Sequence, residues 1–538
     1  MKRICIVGGV AAGASCAARL RRLEEFAEII VFEKSGFISY ANCGLPYYVG
    51  KEIADFGNLI LQTPESLYKR FRIDVRTNSE VVSVDTKEKK LLIKGPEKEY
   101  EAEYDVLVLA PGCFARKMYG DFPTLRNVED VERIDRMAED AESVTVIGGG
   151  FVGIELAENL IERGKKVTVL EYADHILTNL DEDLVAYLEN ELKQKGVDLR
   201  TAVRIKDAKQ EEKVTITFED GSVMETDLLV SSAGVLPATA FLEGSRIELD
   251  PKGYILVDDH MRTNIPDVYA AGDAVLVTHL VTGKKTAVPL AGPANKEGRI
   301  AADNIAGLDS AFKGALGTSI IKVFDLAGGS TGLNTAQLKR EGIEFDTICI
   351  HPSSHAGYYP GSSPLHIKLF YEKASGTVLG AQAVGKEGVD KFLDVIATAM
   401  NYNAKADELG DLDLAYAPPF GSAKSPANYL GFIAGNVRNG LEELVTVEDA
   451  LHMDENHILL DVRTNGEYSR GSFPDSIHIP VDELRDRLLE LHPYKDKTID
   501  VYCAVGIRGH IASRILRAYG FKTRNVTGAY TTYQATRK

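Results

Sequence analysis

Two cysteines lie in segments whose composition favours sulfur chemistry. The first, Cys43, is part of the segment Ser-Tyr-Ala-Asn-Cys-Gly-Leu-Pro at 39–46. It precedes a predicted helix start, where the helix dipole and backbone N–H groups favour a thiolate. The next cysteine is Cys113, so Cys43 has no close sequence partner for an internal disulfide. If Cys43 is redox-active, it must pair with a small external thiol or pass through a sulfenic acid.

The second cysteine, Cys503, opens the loop Cys-Ala-Val-Gly-Ile-Arg-Gly ahead of another predicted helix. Successive backbone N–H groups in such a loop form an anion-binding concavity, and Arg508 closes it, so a thiolate or persulfide is stabilised. Phosphatases of related architecture place one more residue between Cys and Arg. The shorter loop suits a single sulfur better than a phosphate.

A glycine-rich turn near the N-terminus has the pattern of a dinucleotide site. An apolar run at 3–7 leads into Gly-Gly-Val-Ala-Ala-Gly, a predicted helix to about Leu23 and a second apolar run that ends in Glu33. Glycines let backbone N–H groups approach a pyrophosphate, and the acid accepts a hydrogen bond from a ribose hydroxyl. We expect this site to use Gly8, Val10, Ala12, Gly13 and Glu33, with Val10 where the motif usually has its middle glycine.

The same unit recurs about 140 residues later, which predicts two dinucleotide sites. Its expected cofactor residues are Gly148, Gly150, Gly153 and Glu171. Glu171 has no arginine directly after it, and a carboxylate repels a 2′-phosphate, so the sequence favours NADH. The nearby Lys165 and Lys166 leave NADPH as an alternative cofactor.

A later segment, 263–274, ends in Gly272-Asp273. An aspartate there can hydrogen-bond a flavin's ribityl hydroxyls, which makes FAD the expected nucleotide of the first unit.

Further segments position these turns. Alternating runs at 79–94 and 213–231 predict β-meanders, and 104–111 and 227–237 predict crossings between lobes. The polar stretch from Gly440 marks a domain boundary. After it we expect a small α/β unit with strands at 458–462, 498–502 and 523–526 and a helix at 511–519.

The composition excludes several function classes. With 538 residues, the chain is long enough for three to four domains at about 150 residues each. Its 62 Lys and Arg against 79 Asp and Glu give a net charge of −17, which argues against nucleic acid or an anionic membrane as partner. No run of about 18 apolar residues is present. Six cysteines without metal-ligand spacing predict reduced thiols, a cytoplasmic location and no metal site.

The chain resembles the coenzyme A-disulfide reductase–rhodanese fusions, a group that includes NADH-dependent persulfide reductases of the pyridine nucleotide–disulfide oxidoreductase superfamily. The segment around Cys43, both dinucleotide motifs, 263–274, 289–305 and the C-terminal unit carry the resemblance. It covers about residues 1–535 and implies an α/β fold with two Rossmann-like dinucleotide-binding domains. The expected domains are an FAD-binding domain at 1–110 and 253–319, an NAD(P)H-binding domain at 111–252, an α+β dimerisation domain at 320–440 and an α/β rhodanese domain at 445–538.

The resemblance also implies residue roles. Cys43 is then the redox-active nucleophile, resting as a mixed disulfide with coenzyme A, and Cys503 and Arg508 serve the rhodanese site. Tyr358 and Tyr416 match two tyrosines that assist at the partner subunit's cysteine in a homodimer, although Tyr359 lies next to the first. The resemblance also implies that the cofactor sites include Ala110, Gly234 and Pro289. The implied coenzyme A contacts are Ser15, Arg19, Arg22, Ser39, Asn42, Asn295 and Lys424.

These features together predict an FAD-dependent NAD(P)H oxidoreductase that reduces coenzyme A persulfide, polysulfide or coenzyme A disulfide. One alternative is an NADH peroxidase or oxidase with a cysteine sulfenic acid. Those relatives place a histidine on the first glycine turn, where this chain has Val10-Ala11, and its first histidine is His175. Another alternative is a sulfur-carrier or redox-sensing protein. The expected partners are small thiols, persulfides and disulfides.

Overall fold

The computed structural model describes residues 1–452 and 454–537, which form two compact units. The first unit comprises Met1–Ile176 and Lys195–Gly317. The second comprises Leu177–Gln194 and the described residues from Thr318 onward. Among the described residues, no helix combines the length and the apolar character that crossing a membrane requires.

The strands, in chain order, are β1 (Arg3–Val7), β2 (Glu28–Phe32), β3 (Asp74–Arg76), β4 (Glu80–Asp85), β5 (Lys90–Lys94), β6 (Glu99–Glu103), β7 (Val106–Leu109), β8 (Cys113–Ala115), β9 (Ser143–Ile147), β10 (Lys166–Leu170), β11 (Asp198–Arg200), β12 (Ile205–Gln210), β13 (Val214–Phe218), β14 (Val223–Thr226), β15 (Leu228–Ser231), β16 (Val235–Pro237), β17 (Ile255–Leu256), β18 (Val268–Ala270), β19 (Val275–Thr278), β20 (Lys285–Thr286), β21 (Ser319–Val323), β22 (Leu326–Gly332), β23 (Phe345–Ile350), β24 (Leu365–Glu372), β25 (Val378–Gly385), β26 (Leu444–Val445), β27 (His457–Asp461), β28 (Ile477–His478), β29 (Thr498–Tyr502) and β30 (Lys522–Val526).

The α-helices, in chain order, are α1 (Ala11–Leu23), α2 (Leu45–Val49), α3 (Pro64–Phe71), α4 (Val128–Asp140), α5 (Phe151–Glu162), α6 (Glu182–Gln194), α7 (Ala291–Ile305), α8 (Thr335–Glu341), α9 (Val389–Asn401), α10 (Pro426–Arg438), α11 (Val447–Leu451), α12 (Asn465–Tyr468), α13 (Ile507–Ala518) and α14 (Ala529–Thr536). Short 3₁₀ segments lie at Asn42–Gly44, Phe56–Leu59, Ala240–Leu242, Asp407–Asp411 and Leu488–Tyr494.

A five-stranded parallel sheet in the order β18-β7-β1-β2-β3 forms the core of the first unit. Its central strands are continuous apolar runs, as expected for strands covered on both faces. Residues Ile4, Cys5 and Ile6 are fully buried there. Because β1 pairs with β2 on one side and β7 on the other, the chain reverses its winding direction at the carboxyl end of β1. Ligands of parallel α/β sheets bind at such a point.

A second parallel sheet, β11-β10-β9-β15, repeats this arrangement around the other glycine turn. Two antiparallel meanders, β4-β5-β6 and β12-β13-β14, accompany the parallel sheets. The prediction of one meander over 213–231 was therefore wrong at its end, since β15 pairs in parallel with β9. The fully apolar sequence of Leu228–Val230 fits a strand buried on both faces better than an alternating one.

Two smaller sheets complete the first unit. The predicted crossing segments 104–111 and 227–237 contain the strands β7 and β15. The strands that follow these two, β8 and β16, pair with each other as a two-stranded antiparallel sheet. The other is the three-stranded sheet β17-β19-β20.

The second unit contains an antiparallel sheet, β21-β22-β25-β24-β23, and a parallel sheet, β26-β30-β29-β27-β28. The helix predicted at 511–519 begins four residues earlier, at Ile507. As a result, Arg508 lies in the first turn of α13 rather than in a loop ahead of it. The two sheets are joined by hydrogen bonds between Cys349 at the end of β23 and Thr527 after β30, with the Cys349 N–H donating to the Thr527 hydroxyl at 2.7 Å.

Candidate functional site

The first glycine turn leaves no room for larger side chains at two of its positions. Gly8 has a φ of 91°, and a Cβ there would lie 2.1 Å from the Ala110 carbonyl oxygen. A Cβ on Gly13 would lie 1.9 Å from the Gly8 carbonyl oxygen. The turn therefore brings the N-terminus of α1 directly against the end of β1, where backbone N–H groups can receive a pyrophosphate.

Glu33 at the end of β2 closes this turn. Its carboxylate accepts from the Gly9 N–H at 2.8 Å and from the Ser35 N–H at 2.9 Å. Burial raises the pKa of Glu33. The acid thus bridges the glycine turn and the segment that follows β2, where the motif places a ribose.

The second turn repeats this geometry. A Cβ on Gly153 would lie 2.0 Å from the Gly148 carbonyl oxygen, and Gly148 has a φ of 106°. Glu171 accepts from the N–H groups of Gly149 and Ala173, each at 2.6 Å. Each turn thus has a glycine with positive φ, a second glycine packed against its carbonyl oxygen, and an acid that accepts from two backbone N–H groups. The two dinucleotide cradles, each at its own sheet, therefore have the same construction.

The remaining predicted cofactor positions border these cradles. Val10 and Gly150 are the residues directly before α1 and α5. Ala12 is buried, Ala110 follows β7, and Gly234 and Pro289 are exposed.

Gly272 and Asp273 follow β18, the edge strand of the first sheet. The Gly272 N–H donates to Glu297 of α7 at 2.7 Å. Burial raises the pKa of Glu297 to about 7. The carboxylate of Asp273 pairs with Arg126, a residue that the sequence interpretation did not single out. Glu297 was also missed as an individual residue, although it lies inside the quoted segment 289–305.

Cys43 lies in the 3₁₀ segment Asn42–Gly44, directly ahead of α2, and is exposed. The expectation that its surroundings favour the thiolate was wrong. The pKa of Cys43 is raised, first because neighbouring atoms desolvate the sulfur and second because Glu155 is negatively charged. Arg126 opposes this rise, but α2 has only five residues and its dipole does not overcome the other effects.

Glu155 is the residue near Cys43 that sequence reasoning missed. It lies on α5, the helix that follows the second glycine turn, and its carboxylate is 3.5 Å from the Tyr47 hydroxyl. Burial raises the pKa of Glu155 to about 7. A carboxyl group with a pKa near neutrality can both accept and donate a proton at neutral pH. A useful signal was the position of this acid two residues after the last glycine of the motif.

The predicted coenzyme A residues fall into two groups. In the first unit, the Ser15 hydroxyl donates to Asn295 at 2.5 Å, which joins α1 to α7. Arg19 is paired with Asp303 at 2.6 Å, whereas Arg22 on the same helix is exposed. Ser39, with a φ of 48°, and Asn42 lie on the segment before Cys43. Lys424 belongs to the second unit and is exposed.

The second unit brings the two predicted tyrosines together. The hydroxyls of Tyr358 and Tyr416 are 2.9 Å apart, and the side chains are exposed by 77% and 46%. The adjacent Tyr359 instead packs edge-on against His355, with ring centroids 5.8 Å apart.

The loop at Cys503 follows β29 and leads into α13. The Cys503 sulfur is buried and accepts from the Gly506 N–H at 3.1 Å. Arg508 makes a bidentate ion pair with Glu467, with both N···O distances 2.7 Å. The hydrogen bond that Arg508 donates to Glu467 is the first cause that raises the pKa of Arg508, and its interaction with Cys503 adds to the rise. The loop therefore surrounds a sulfur with backbone and side-chain donors.

Comparison with protein-family models shows to which family the chain belongs. Residues 2–298 match the model described as pyridine nucleotide-disulphide oxidoreductase. The chain belongs to this family. Its dimerisation domain model matches residues 318–427, and a rhodanese-like domain model matches residues 446–536. Membership of the pyridine nucleotide-disulphide oxidoreductases implies FAD and NADH or NADPH, and the two cradles fit both dinucleotides.

Individual members of the family are similar over most of the chain. The coenzyme A disulfide reductase of Staphylococcus aureus (strain Newman) is 37% identical over 442 residues, which is 81% of this chain and 100% of the relative. The structure of reduced Bacillus anthracis CoADR-RHD is 42% identical, with a TM-score of 0.95 over 99% of this chain and 98% of that one. The structure of an NAD-dependent persulfide reductase from A. fulgidus is 36% identical, with a TM-score of 0.91 over 99% and 100%. The predicted fold class is confirmed.

Proposed function

We propose that this oxidoreductase is an FAD-dependent NADH enzyme that reduces coenzyme A persulfide, polysulfide or coenzyme A disulfide through Cys43. The observation that carries the proposal is the exposed Cys43, which follows one dinucleotide cradle and is electrostatically coupled to Glu155 on the helix of the other. The names of the similar reductases support the substrate class.

The cradle at Gly8 and Gly13 would hold FAD, with Glu33 at its ribose and Asp273 toward its ribityl chain. The cradle at Gly148 would hold NADH, with Glu171 at the ribose 2′-hydroxyl. When bound, FAD would supply two-electron chemistry, taking a hydride from the nicotinamide and passing the electron pair to sulfur.

Cys43 is the proposed nucleophile. Its thiolate attacks the outer sulfur of a persulfide or one sulfur of a disulfide, and the other sulfur leaves as a thiolate. Two electrons from NADH then break the new S–S bond at Cys43. Glu155, whose charge acts on Cys43 and whose pKa burial raises to about 7, is the proposed acceptor of the thiol proton before attack and its donor to the product.

The residues that the resemblance implies as coenzyme A contacts are part of the proposal. Arg22 is exposed on α1 and is a stronger candidate for a phosphate than Arg19, whose guanidinium is paired with Asp303. The other proposed coenzyme A contacts are Ser15, Ser39, Asn42, Asn295 and Lys424.

A homodimer is part of the proposal, and the match to a dimerisation domain model supports it. Tyr358 and Tyr416 would then act at Cys43 of the partner subunit. In each hydroxyl pair, one group donates to the other, so the second keeps a proton for the leaving thiolate. The boundaries of the four domains remain predictions.

An anaerobic titration tests this function. Enzyme is mixed with coenzyme A persulfide and NADH is added in steps while NADH oxidation and released sulfide are counted. The proposal expects many NADH molecules oxidised per subunit, with one sulfide for each. Oxidation that stops after one equivalent would instead indicate a sulfur carrier or redox sensor. NADH oxidation that requires oxygen or peroxide would indicate an oxidase or peroxidase.

A further inference from the structure

A groove of about 380 Å³, here called the α13 groove, is lined by residues of α13 and by Arg485. Three basic side chains border it, because His510 and Arg514 accompany Arg485. The two from α13 are four positions apart and therefore lie on the same face of the helix. In a chain with a net charge of −17, this local excess of basic residues indicates a site for an anionic group.

The two arginines of the α13 groove pair with no carboxylate of the described residues. Arg514 is exposed and donates to the Leu441 carbonyl oxygen at 2.6 Å, which is an uncharged acceptor. Arg485 is also exposed, and it has no hydrogen-bond or ion-pair partner within the described part of the chain. Guanidinium groups bind phosphate oxygens with charge-assisted hydrogen bonds, so a phosphate is the anion that this pair fits best.

The third basic residue, His510, is held from inside the protein. The buried Glu442 carboxylate lies 2.9 Å from His510 Nδ1 and accepts from Asn525 Nδ2 at 2.8 Å. This carboxylate also raises the pKa of His510. A buried acid at Nδ1 fixes the orientation of an imidazole ring and makes Nε2 the nitrogen that a ligand can use. The α13 groove thus has a basic side chain that the fold positions.

Exposed apolar side chains lead from the α13 groove toward Cys503. Ile511 and Tyr519 line the groove and are 43% and 58% exposed. Ile507 lies one helical turn before Ile511, at the start of α13, and is 61% exposed. Since α13 follows the Cys503 loop directly, the groove begins about one turn beyond that loop. A ligand that fits this surface has an anionic end, an aromatic or apolar part and an arm that reaches the loop.

We propose that the α13 groove binds the phosphorylated nucleotide end of coenzyme A persulfide and thereby delivers its outer sulfur to Cys503. Coenzyme A carries phosphates for the arginines, an adenine ring for Tyr519 and a flexible arm that ends in sulfur. The groove has the volume of a small-molecule site. This inference rests on the proposed function in taking coenzyme A persulfide as substrate, and it adds a separate binding site for that substrate in the second unit.

Sulfur transfer at this site needs no outside oxidant or reductant. The Cys503 thiolate attacks the outer sulfur of the persulfide, so one S–S bond forms and the S–S bond of the donor breaks. Coenzyme A leaves as a thiolate with the electron pair of the broken bond, and the proton stays on the transferred sulfur to give Cys503–S–SH. The α13 groove binds the donor without touching the reacting atoms, so its effect belongs in KM rather than in the maximal rate.

The test follows the sulfur that Cys503 gains in the full-length flavoprotein with Cys43→Ser. Peptide mass spectrometry after rapid mixing gives the loading rate with coenzyme A persulfide and with pantetheine persulfide, which has the same reactive arm and no nucleotide. We expect the KM for coenzyme A persulfide to be at least about tenfold lower, because the arginines bind its phosphates. Adenosine 3′,5′-bisphosphate should compete with coenzyme A persulfide, and inorganic phosphate at the same ionic strength should compete far less.

Substitution of the arginines separates binding from folding. We expect Arg485→Gln and Arg514→Gln each to raise the KM for coenzyme A persulfide about three- to tenfold, and the double variant to lose the advantage over pantetheine persulfide. Loading from pantetheine persulfide should change less than about twofold. The control is Arg487→Gln, which removes a positive charge from the same segment where the side chain pairs with Glu483 and Glu490, and it should alter neither KM.

Several results would overturn the inference. Equal KM values for the two persulfides in the protein with both arginines would show that the nucleotide is not recognised, and equal competition by inorganic phosphate would show the same. An unchanged KM in the double variant, slower loading from both donors, or a Cys503 that neither donor loads would also exclude the proposed site. Loss of NADH turnover in the protein with Cys43, together with arginine-dependent loading of Cys503, would count against the proposed reductase alone.

Discussion

The hydroxyl groups of Tyr358 and Tyr416 lie 2.9 Å apart, although 58 positions separate the two residues in the sequence. Tyr358 belongs to the connection between β23 and β24, and Tyr416 to the connection that precedes α10. The hydrogen bond with Tyr416 is the first cause that raises the pKa of Tyr358, so its phenol keeps its proton at neutral pH. An exposed pair of protonated phenols fits a role as proton donor to a leaving thiolate.

Loss of either hydroxyl should slow turnover. We expect Tyr358→Phe and Tyr416→Phe each to lower kcat by about tenfold or more, because a positioned proton donor contributes roughly 10²–10⁴-fold. Steady-state NADH oxidation with coenzyme A persulfide measures this. The matched control is Tyr359→Phe, since that ring packs on His355. If Tyr359→Phe slows turnover and Tyr358→Phe does not, Tyr359 rather than Tyr358 is the proton donor.

Removal of the charge at Glu155 should make Cys43 more reactive. The ionised Glu155 carboxylate raises the pKa of Cys43, so Glu155→Gln lowers that pKa and increases the thiolate fraction at neutral pH. We expect alkylation of reduced Cys43 at pH 8 to speed up roughly threefold. The same substitution should flatten the pH dependence of kcat near pH 7, where Glu155 titrates. Glu162→Gln on the same helix is the control, and an unchanged alkylation rate in Glu155→Gln would refute the coupling.

Glu171 should decide between the two pyridine nucleotides. Its carboxylate accepts from Gly149 and Ala173 and stands where the ribose 2′-hydroxyl is expected. Glu171→Ala removes both a hydrogen-bond acceptor and a charge that repels a 2′-phosphate. We expect the ratio of kcat/KM for NADH over NADPH to fall by about 10- to 100-fold. Glu33→Ala, the equivalent change in the first cradle, should reduce bound FAD instead. An unaltered NADH preference in Glu171→Ala would show that other residues determine the choice of cofactor.

The sequence predicted the elements and motifs that depend on local pattern. Both glycine turns, their flanking strands and their acids at 33 and 171 follow from backbone geometry that only certain residues allow, and the structure has them as expected. The strand at Leu228–Ser231 was assigned to the wrong sheet. Its apolar sequence suits a strand buried on both faces, but a local pattern does not identify its partner β9, where Leu228 pairs with Val144.

Electrostatic surroundings could not be predicted in the same way. The raised pKa of Cys43 depends on Glu155, and the pairing of Arg508 depends on Glu467, 41 positions earlier. Ala529 shows a related limit, because it has a φ of 49°, a conformation that favours glycine and that an alanine in the sequence does not indicate. The predicted site residues remain predictions until variants are measured.

A buried pair of histidines should make the second unit sensitive to acid. The Nδ1 atoms of His351 and His366 are 2.8 Å apart, and His351 Nε2 lies 3.0 Å from the Gly528 carbonyl oxygen. Burial lowers the pKa of His351 to about 4 and that of His366 to about 3. Since the unfolded chain binds these protons from about pH 6.5 downward, stability is full above that value and falls toward pH 4.

At pH 5 the loss for His351 alone amounts to about 2 kcal/mol. Thermal unfolding of the second unit should therefore shift to lower temperature between pH 7 and pH 5, and His351→Gln should reduce that shift. His452→Gln, at an exposed position, is the control and should leave the shift intact. A pH dependence that is the same in all three proteins would show that the histidine pair does not control it.

Anaerobic NADH oxidation with coenzyme A persulfide and coenzyme A disulfide, measured side by side, tests the central claim most directly. We expect rapid NADH oxidation with persulfide and release of sulfide. In Cys43→Ser the rate should fall at least about 10³-fold, while the protein should retain its FAD absorbance. Faster oxidation with the disulfide and no sulfide would identify a thiol-maintenance enzyme instead. Undiminished turnover by Cys43→Ser with either substrate would contradict the account, because no other described cysteine is exposed.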